Sequence, residues 1–286
     1  MSVAIVEARV PLVPFGPGES RGASPDGTAG ARARAAWPLA RFCLSEGVDA
    51  EAARQIEHML TNRIRLARGR SIYRVGCEFK ALYAIRTGAC KTVLLTRAGQ
   101  DQVAGYHIAG DVVGMDGIGS DAHECQAIAL EDMDVCPLPF DEIERLTRLC
   151  TKFQHNVHRL LSQEGTRART MMILLGTMRA EQRLGVFLLD LSQRYRERGY
   201  SSSEFVLRMT RAEIASYLGL KLETVSRMFS RFRHAGWISV DRRSIRLLDP
   251  AAVSRVVEGS NAHLDAVDGH DASRAAASLF AARPLV

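Results

Sequence analysis

The stretch LKLETVSRMFSRF, Leu220 to Phe232, holds residues that hydrogen-bond base edges at a spacing that gathers them on one helical arc. At about 100° per residue, Leu222, Val225, Phe229 and Phe232 fall on one side of a helix, while Glu223, Ser226, Arg227 and Ser230 share another. An arginine forks onto guanine O6 and N7, a glutamate accepts from cytosine N4, and a serine is short enough to let the helix lie deep in a major groove. Lys221, Thr224 and Arg231 flank that arc; with Thr210, Arg211 and Arg243 elsewhere they complete the candidate DNA contacts. The competing reading is a solvated face, although ordinary exposed faces mix Lys and Glu at i,i+4.

Such a helix needs a frame to present it. Upstream, MTRAEIASYLGL sets Thr210 three residues before Glu213, a capping box, followed by Ile214, Ala215 and Leu218 as one apolar stripe and by Gly219 as a tight turn. The pattern is helix, glycine turn, helix, the spacing of a helix-turn-helix whose second member reads DNA. Downstream, HAGWISVDRRSIRLLD closes that helix at Gly236. It then alternates Ile238/Val240 and Ile245/Leu247 around Asp241-Arg242-Arg243-Ser244, a hairpin that makes the wing of a winged helix. Its arginine tip suits phosphate contact; a basic tip also serves plain solubility.

Charge points to the same region. The chain has 286 residues, with 38 Lys+Arg against 32 Asp+Glu and a net charge of +6. Arg179 to Pro250 holds 14 basic and 8 acidic residues, so the remainder balances. An excess so placed fits a phosphate backbone as partner. With 47% hydrophobic residues the chain has enough apolar material for two domains. It has no run of about 18 apolar residues and no signal-peptide pattern at its start, which makes a cytoplasmic protein without a membrane partner the expectation. Six cysteines, at 43, 77, 90, 125, 136 and 150, form no CxxC pair and read as free thiols.

The rest of the chain divides by pattern into an α+β protein. Residues 1–36 and 251–286 read as loosely ordered tails, the second with a short helix near Ser273–Ala282. Residues 37–147 open with a helix at 49–60. From about Arg65 to Leu138 they then run through short strand-like segments with turns at Gly76, Gly88, Gly99, Gly110 and Gly114, a β-roll or jelly roll. Residues 148–178 repeat Phe153, Val157, Leu160/Leu161, Ala168, Met171/Met172 and Leu175 at three- and four-residue steps, the seam of a helix that pairs with a twin and makes a homodimer. Glu164 falls on or beside that seam, where it either tunes pairing or leans out to solvent. Residues 179–250 form the winged helix-turn-helix.

A β-roll, a long dimerisation helix and a winged helix in that order resemble the Crp/Fnr superfamily of bacterial transcription regulators. Three stretches resemble its Fnr branch: LYAIRTGACK, GYHIAGDVVGMDGIGS and MTRAEIASYLGLKLETVSRMFSRF. The likeness spans roughly residues 40–250. It implies a cyclic-nucleotide-binding-like roll and a two-fold TTGAT-four-ATCAA site, with Arg227 and Glu223 on the G·C pair and Ser226 on a neighbouring thymine. It also implies an activator that touches RNA polymerase through roll loops such as TRAGQDQ, residues 96–102.

The resemblance frames the signal as well. The Crp branch binds cyclic AMP through a Gly-Glu motif and an Arg-Ser pair; here Met115-Asp116 follows Gly114 and no arginine stands at the phosphate position, so cyclic AMP is not expected. Fnr holds a [4Fe-4S] cluster on four cysteines. Cys136 matches the roll ligand and Cys43 the last N-terminal one, but Arg34 and Trp37 occupy the other two positions, so two thiolates stand where four are required. A thiol switch would use Cys43 with Cys136, or an exposed Cys125 or Cys150, against the reading that small thiols simply pack. His155 with His158, and His123 with Glu124 and Cys125, are metal-like pairings more in keeping with ordinary surface positions. Where Fnr carries a repulsive acid on its dimer helix this chain has Ala168, which implies a dimer that binds DNA in air. As an enzyme the chain would need a nucleophile elbow or a phosphate loop, and neither GxSxG nor GxxxxGK[ST] occurs.

Overall fold

A computed structural model describes residues 50–95 and 101–259. The tail at 1–36, the helix expected near Ser273–Ala282 and Cys43 lie outside the described residues. Among those described, no helix is long and apolar enough to cross a membrane.

Helix α1, Ala50–Thr61, leads into strands β1 (Ile64–Leu66), β2 (Ser71–Tyr73), β3 (Ala81–Thr87), β4 (Ala89–Leu95), β5 (Asp101–Ile108), β6 (Val112–Val113), β7 (Gln126–Ala129) and β8 (Met133–Pro139). They form two antiparallel four-stranded sheets, ordered β1-β8-β3-β6 and β2-β7-β4-β5. Ile85, Val113, Ala127 and Val135 are buried together in one core cluster that draws on both sheets, so the segment is a roll. Helix α2, Phe140–Leu149, then covers one end and α3, Thr151–Thr177, runs away from it for 27 residues, about 40 Å at 1.5 Å per residue.

The second unit begins with α4, Ala180–Glu197, followed by β9 (Glu204–Val206), α5 (Arg211–Leu218), α6 (Leu222–His234), the hairpin β10 (Ile238–Asp241) and β11 (Ser244–Leu247), and α7 (Pro250–Val257). The Thr210 hydroxyl accepts from the Glu213 amide at 3.2 Å while the Glu213 carboxylate accepts from the Thr210 amide at 2.7 Å, a closed capping box. Gly219 ends α5 in the left-handed region, φ 61°, where a Cβ would be strained and would also press on Leu175. Thr210→Ala removes the cap and is expected to lower unfolding stability by about 0.5–2 kcal/mol in chemical denaturation. In the hairpin Val240 pairs with Ile245 and Ile238 with Leu247; β9 adds a third strand that alternation alone did not signal.

One boundary and one stripe differ from the sequence reading. The helix-turn-helix unit does not stop at 250, because residues 251–257, read as tail, continue from Pro250 as α7, Pro250–Val257. Asp249 caps it through the Ala252 amide at 2.8 Å, Pro250 starts it, and Ala252, Val253, Val256 and Val257 are buried. That helix packs so closely on α4 that a Cβ at Gly185 would stand 2.9 Å from Val257. The long-helix stripe, in turn, is not one seam. Phe153 is buried in the core of the roll with Val157 and Leu160 packed against it, and Met171 and Leu174 join the core of the second unit. Val157 and Met171 therefore serve their own chain. Leu161, Met172 and Leu175 remain 40%, 71% and 38% exposed, with Ala168 exposed between them.

Candidate nucleic-acid interface

Helix α6 is held by its buried face. Val225, Phe229 and Phe232 are buried at 0%, 4% and 0% exposure, each such side chain contributing about 1.5–3 kcal/mol of burial. Leu222, expected on that face, is instead 44% exposed, because it occupies the first turn before the helix reaches the core. Glu223, Ser226, Arg227 and Ser230 all point outward, and Lys221 stands exposed at the N-cap. Thr224 is half-buried. The structure thus brings an acid, a hydroxyl and a guanidinium together on one open arc in the first half of the helix.

The remaining candidates are differently placed. Arg211 lies with its guanidinium 3.2 Å from the centroid of the Phe229 ring, and burial pushes its pKa down to about 10, so its first role is a cation–π contact inside the helix-turn-helix. Arg231 is paired with Glu181 of α4. The Thr210 hydroxyl is engaged in the capping box. Arg243 is exposed at the wing tip beside Arg242, whose φ of 52° turns the hairpin, and its backbone carbonyl accepts from Leu207.

The basic excess of this region is therefore only partly outward. Arg246 pairs with Glu204 and Arg208 with Glu131, while Arg194 and Arg198 turn inward to the buried carboxylate of Asp111 in the roll. Arg183, which sequence reasoning missed, donates to the carbonyls of Leu175 and Met178 at the end of α3 and of Leu218 at the end of α5, at 2.8–3.0 Å. Its signal was available: orphan carbonyls at a helix C-terminus recruit arginines.

A cavity of about 540 Å³ lies between the roll, α3 and α4, lined by Gly114, Asp116, Glu124, Cys125, Glu164 and Arg194 among others. The residues present do not fit a cyclic phosphate. The Asp116 carboxylate itself accepts from the amides of Glu124 and Cys125 at 2.8 and 3.0 Å. Burial alone would raise the Asp116 pKa, but His123 and then Cys125 outweigh it and hold it down to about 2, so an anion already occupies these amides. Arg167 and Arg194 line the cavity as well, yet both are engaged with Asp111. Glu164 reaches Arg167 at 3.6 Å rather than standing alone in solvent.

Nor do the described residues fit an iron–sulfur cluster. Cys136 is fully buried in the core of the roll, its Sγ 3.5 Å from the Leu60 carbonyl, and burial pushes its pKa up. Among the described residues no three His, Cys, Asp or Glu side chains gather as metal ligands. His123 stacks on Tyr73 at 3.8 Å between ring centroids, and His155 and His158 are exposed on α3. Cys125 and Cys150, expected to be exposed if they switch, are buried; the Cys125 thiol is pushed up to about 12 by burial and then by Asp116, which makes it a poor nucleophile.

Comparison with known proteins agrees with this geometry. Residues 182–256 match the Crp-like helix-turn-helix domain and residues 63–149 the cyclic nucleotide-binding domain. Over 219 residues the chain is 42% identical to the transcriptional regulatory protein btr of Bordetella pertussis, covering 77% of this chain and 90% of that one. The chain belongs to the Crp/Fnr family of transcription regulators. Within that family it is also 35% identical over 218 residues to the fumarate and nitrate reduction regulatory protein of Escherichia coli K12, with 76% of this chain and 87% of that protein covered. The structure of FixK2 from Bradyrhizobium japonicum superposes with a TM-score of 0.63 at 26% identity, covering 73% of this chain and 98% of that one. As a Crp/Fnr regulator the protein carries its DNA-binding function in the helix-turn-helix, and its roll has the cyclic nucleotide-binding fold.

Proposed function

We propose that this regulator acts as a cytoplasmic homodimer on a TTGAT-four-ATCAA palindrome and activates transcription by contact with RNA polymerase, with neither a cluster nor a cyclic nucleotide required for binding. The observation that carries the reading is the open arc of α6, where Glu223, Ser226 and Arg227 stand exposed opposite buried Val225, Phe229 and Phe232. Arg227 and Glu223 address the G·C pair of each half-site and Ser226 the neighbouring thymine. Lys221 and Arg243 reach phosphates, and the segment 96–102, of which residues 96–100 lie outside the described residues, contacts the polymerase. Pairing runs along the exposed stripe Leu161, Ala168, Met172, Leu175, whose spacing of seven, four and three residues is a coiled-coil repeat.

The decisive experiment is anaerobic purification with iron and acid-labile sulfide analysis, beside a mobility shift on the palindrome before and after exposure to air. The expected result is no stoichiometric iron and unchanged binding; binding that vanishes in air would replace this reading with a redox-switched one. Arg243→Ala is expected to weaken binding to every duplex alike and to reduce the slope of log K against log salt by about 0.9, one phosphate contact. A salt titration by fluorescence anisotropy checks it.

A further inference from the structure

The recognition helix and the pairing stripe lie on different units, joined by the short link between Thr177 and Ala180. A palindrome of fixed spacing requires the two to be held at one angle and one distance. From the contacts around Asp111 we infer that this carboxylate is a positioning residue for DNA binding: it clamps the DNA-binding unit to the roll and so sets the separation of the two recognition helices.

Asp111 follows β5 at the turn before β6 and its side chain is 2% exposed. One oxygen, Oδ1, accepts from Arg198 at 2.7 Å and from Arg167 at 3.3 Å; Oδ2 accepts from Arg194 and from the Ile108 amide at 2.9 Å. Arg194 on α4 and Arg198 at its C-cap are one turn apart, and Arg167 comes from α3, so a single anion on the roll gathers cations from both helices. The same arginines make further ties: Arg198 Nε donates to the Ala109 carbonyl at 2.6 Å and Arg194 to the Tyr106 carbonyl at 3.1 Å.

A second attachment holds the far side of the unit. Lys91 on β4 pairs with Glu213 of the capping box at 2.6 Å, and the Val103 amide donates to the Ser216 hydroxyl at 2.9 Å, with Gln102 donating to the Ser216 carbonyl. Helix α5 is thus bound to the β4–β5 hairpin and carries α6 with it through Gly219. The core is continuous across the same junction, with Val103, Tyr106 and Ile108 of β5 in one cluster with Phe187, Leu218 and Phe229. The docked pose leaves Glu223, Ser226 and Arg227 outside every one of these contacts, so it is compatible with DNA.

The chemistry explains why a charge is used. Apolar packing tolerates sliding, whereas a buried carboxylate misaligned with its arginines is left desolvated and unpaired, so one docking geometry is strongly preferred. Burial by itself would raise the Asp111 pKa; Arg194, Arg167 and Arg198 outweigh it and keep the group an anion far below the ordinary carboxylate range.

The DNA arm of the test rests on the palindrome reading. The full-length chain is titrated by anisotropy with duplexes carrying two TTGAT half-sites in inverted orientation, separated by three, four, five or six base pairs. The wild-type chain is expected to favour one spacing over its neighbours by about tenfold or more, and Asp111→Asn to narrow that preference to within about threefold. Weaker binding shared equally by all spacings, with the preference intact, is what a merely structural role gives and overturns the inference. Should Asp111→Asn fail to fold, Arg167→Gln, half-exposed on α3, carries the same comparison, and an unchanged preference there overturns it too. Without DNA, amide exchange at Val103 should quicken by about tenfold in the folded variant while amides within β3 and α5 keep their protection; unchanged exchange contradicts the clamp. If the wild-type chain ignores all four duplexes, the palindrome reading has failed and the Val103 amide still decides the clamp.

Discussion

Arg227→Ala is expected to cost about 1–3 kcal/mol at the palindrome per half-site while leaving affinity for scrambled duplex nearly unchanged. The reason is positional. Arg227 stands exposed on the outward arc of α6, one residue from Ser226 and four from Glu223, and among the described residues it has no hydrogen-bond or ion-pair partner that its removal would strand. The fold therefore survives its loss, and any change in affinity reports on DNA. Arg231, one turn further on, is a poor substitute because Glu181 already engages it, and Arg211 is held over Phe229. Two half-sites double the effect on the dimer, so the ratio of specific to scrambled affinity should fall by an amount no phosphate contact can mimic. Competition titrations with the palindrome and a scrambled duplex at one salt concentration measure it. Equal losses on both duplexes would make Arg227 a phosphate contact and remove base reading from this position.

The contrast between Arg227 and the other cations shows what sequence can and cannot reveal here. The helix-turn-helix was legible because its signals are local: Thr210 and Glu213 three apart, a glycine where the chain must turn left-handed, and an apolar stripe at 100° steps. The outward arc followed from the same periodicity. Periodicity does not say whose core a stripe enters, however, and that is why Val157 and Met171 read as seam residues although they pack within their own chain. Helix α7 was overlooked because its alanines blur the apolar contrast, even though Asp249-Pro250 is a strong start signal. Asp111 was invisible for another reason. Its partners lie 56, 83 and 87 residues away, and a lone aspartate in a Gly-Asp turn gives no hint of them. Charge counting failed for the complementary reason: it scored Arg194 and Arg198 as available to phosphate when they neutralise a buried carboxylate.

Met172→Glu is expected to produce the largest loss of all, because it attacks the pairing on which a palindrome depends. At 71% exposure the side chain touches little of its own chain, so a carboxylate there should leave the monomer folded. In a parallel pair about a two-fold axis, position 172 meets its own copy. Two like charges would face each other on an apolar stripe otherwise made of Leu161, Ala168 and Leu175, and the desolvation of both opposes association. A monomer still presents one α6, so contact with an isolated half-site should persist at its intrinsic strength. What disappears is the second contact made at high effective concentration, a factor of about 10²–10⁴ in overall affinity. Sedimentation should show the shift to monomer, and anisotropy should show palindrome and single half-site bound alike. Thr166→Glu, exposed on the same helix but off the stripe, should leave both measurements where the wild-type chain puts them. If Met172→Glu remains a dimer with full palindrome affinity, the pairing surface lies elsewhere and the exposed stripe of α3 has another occupant.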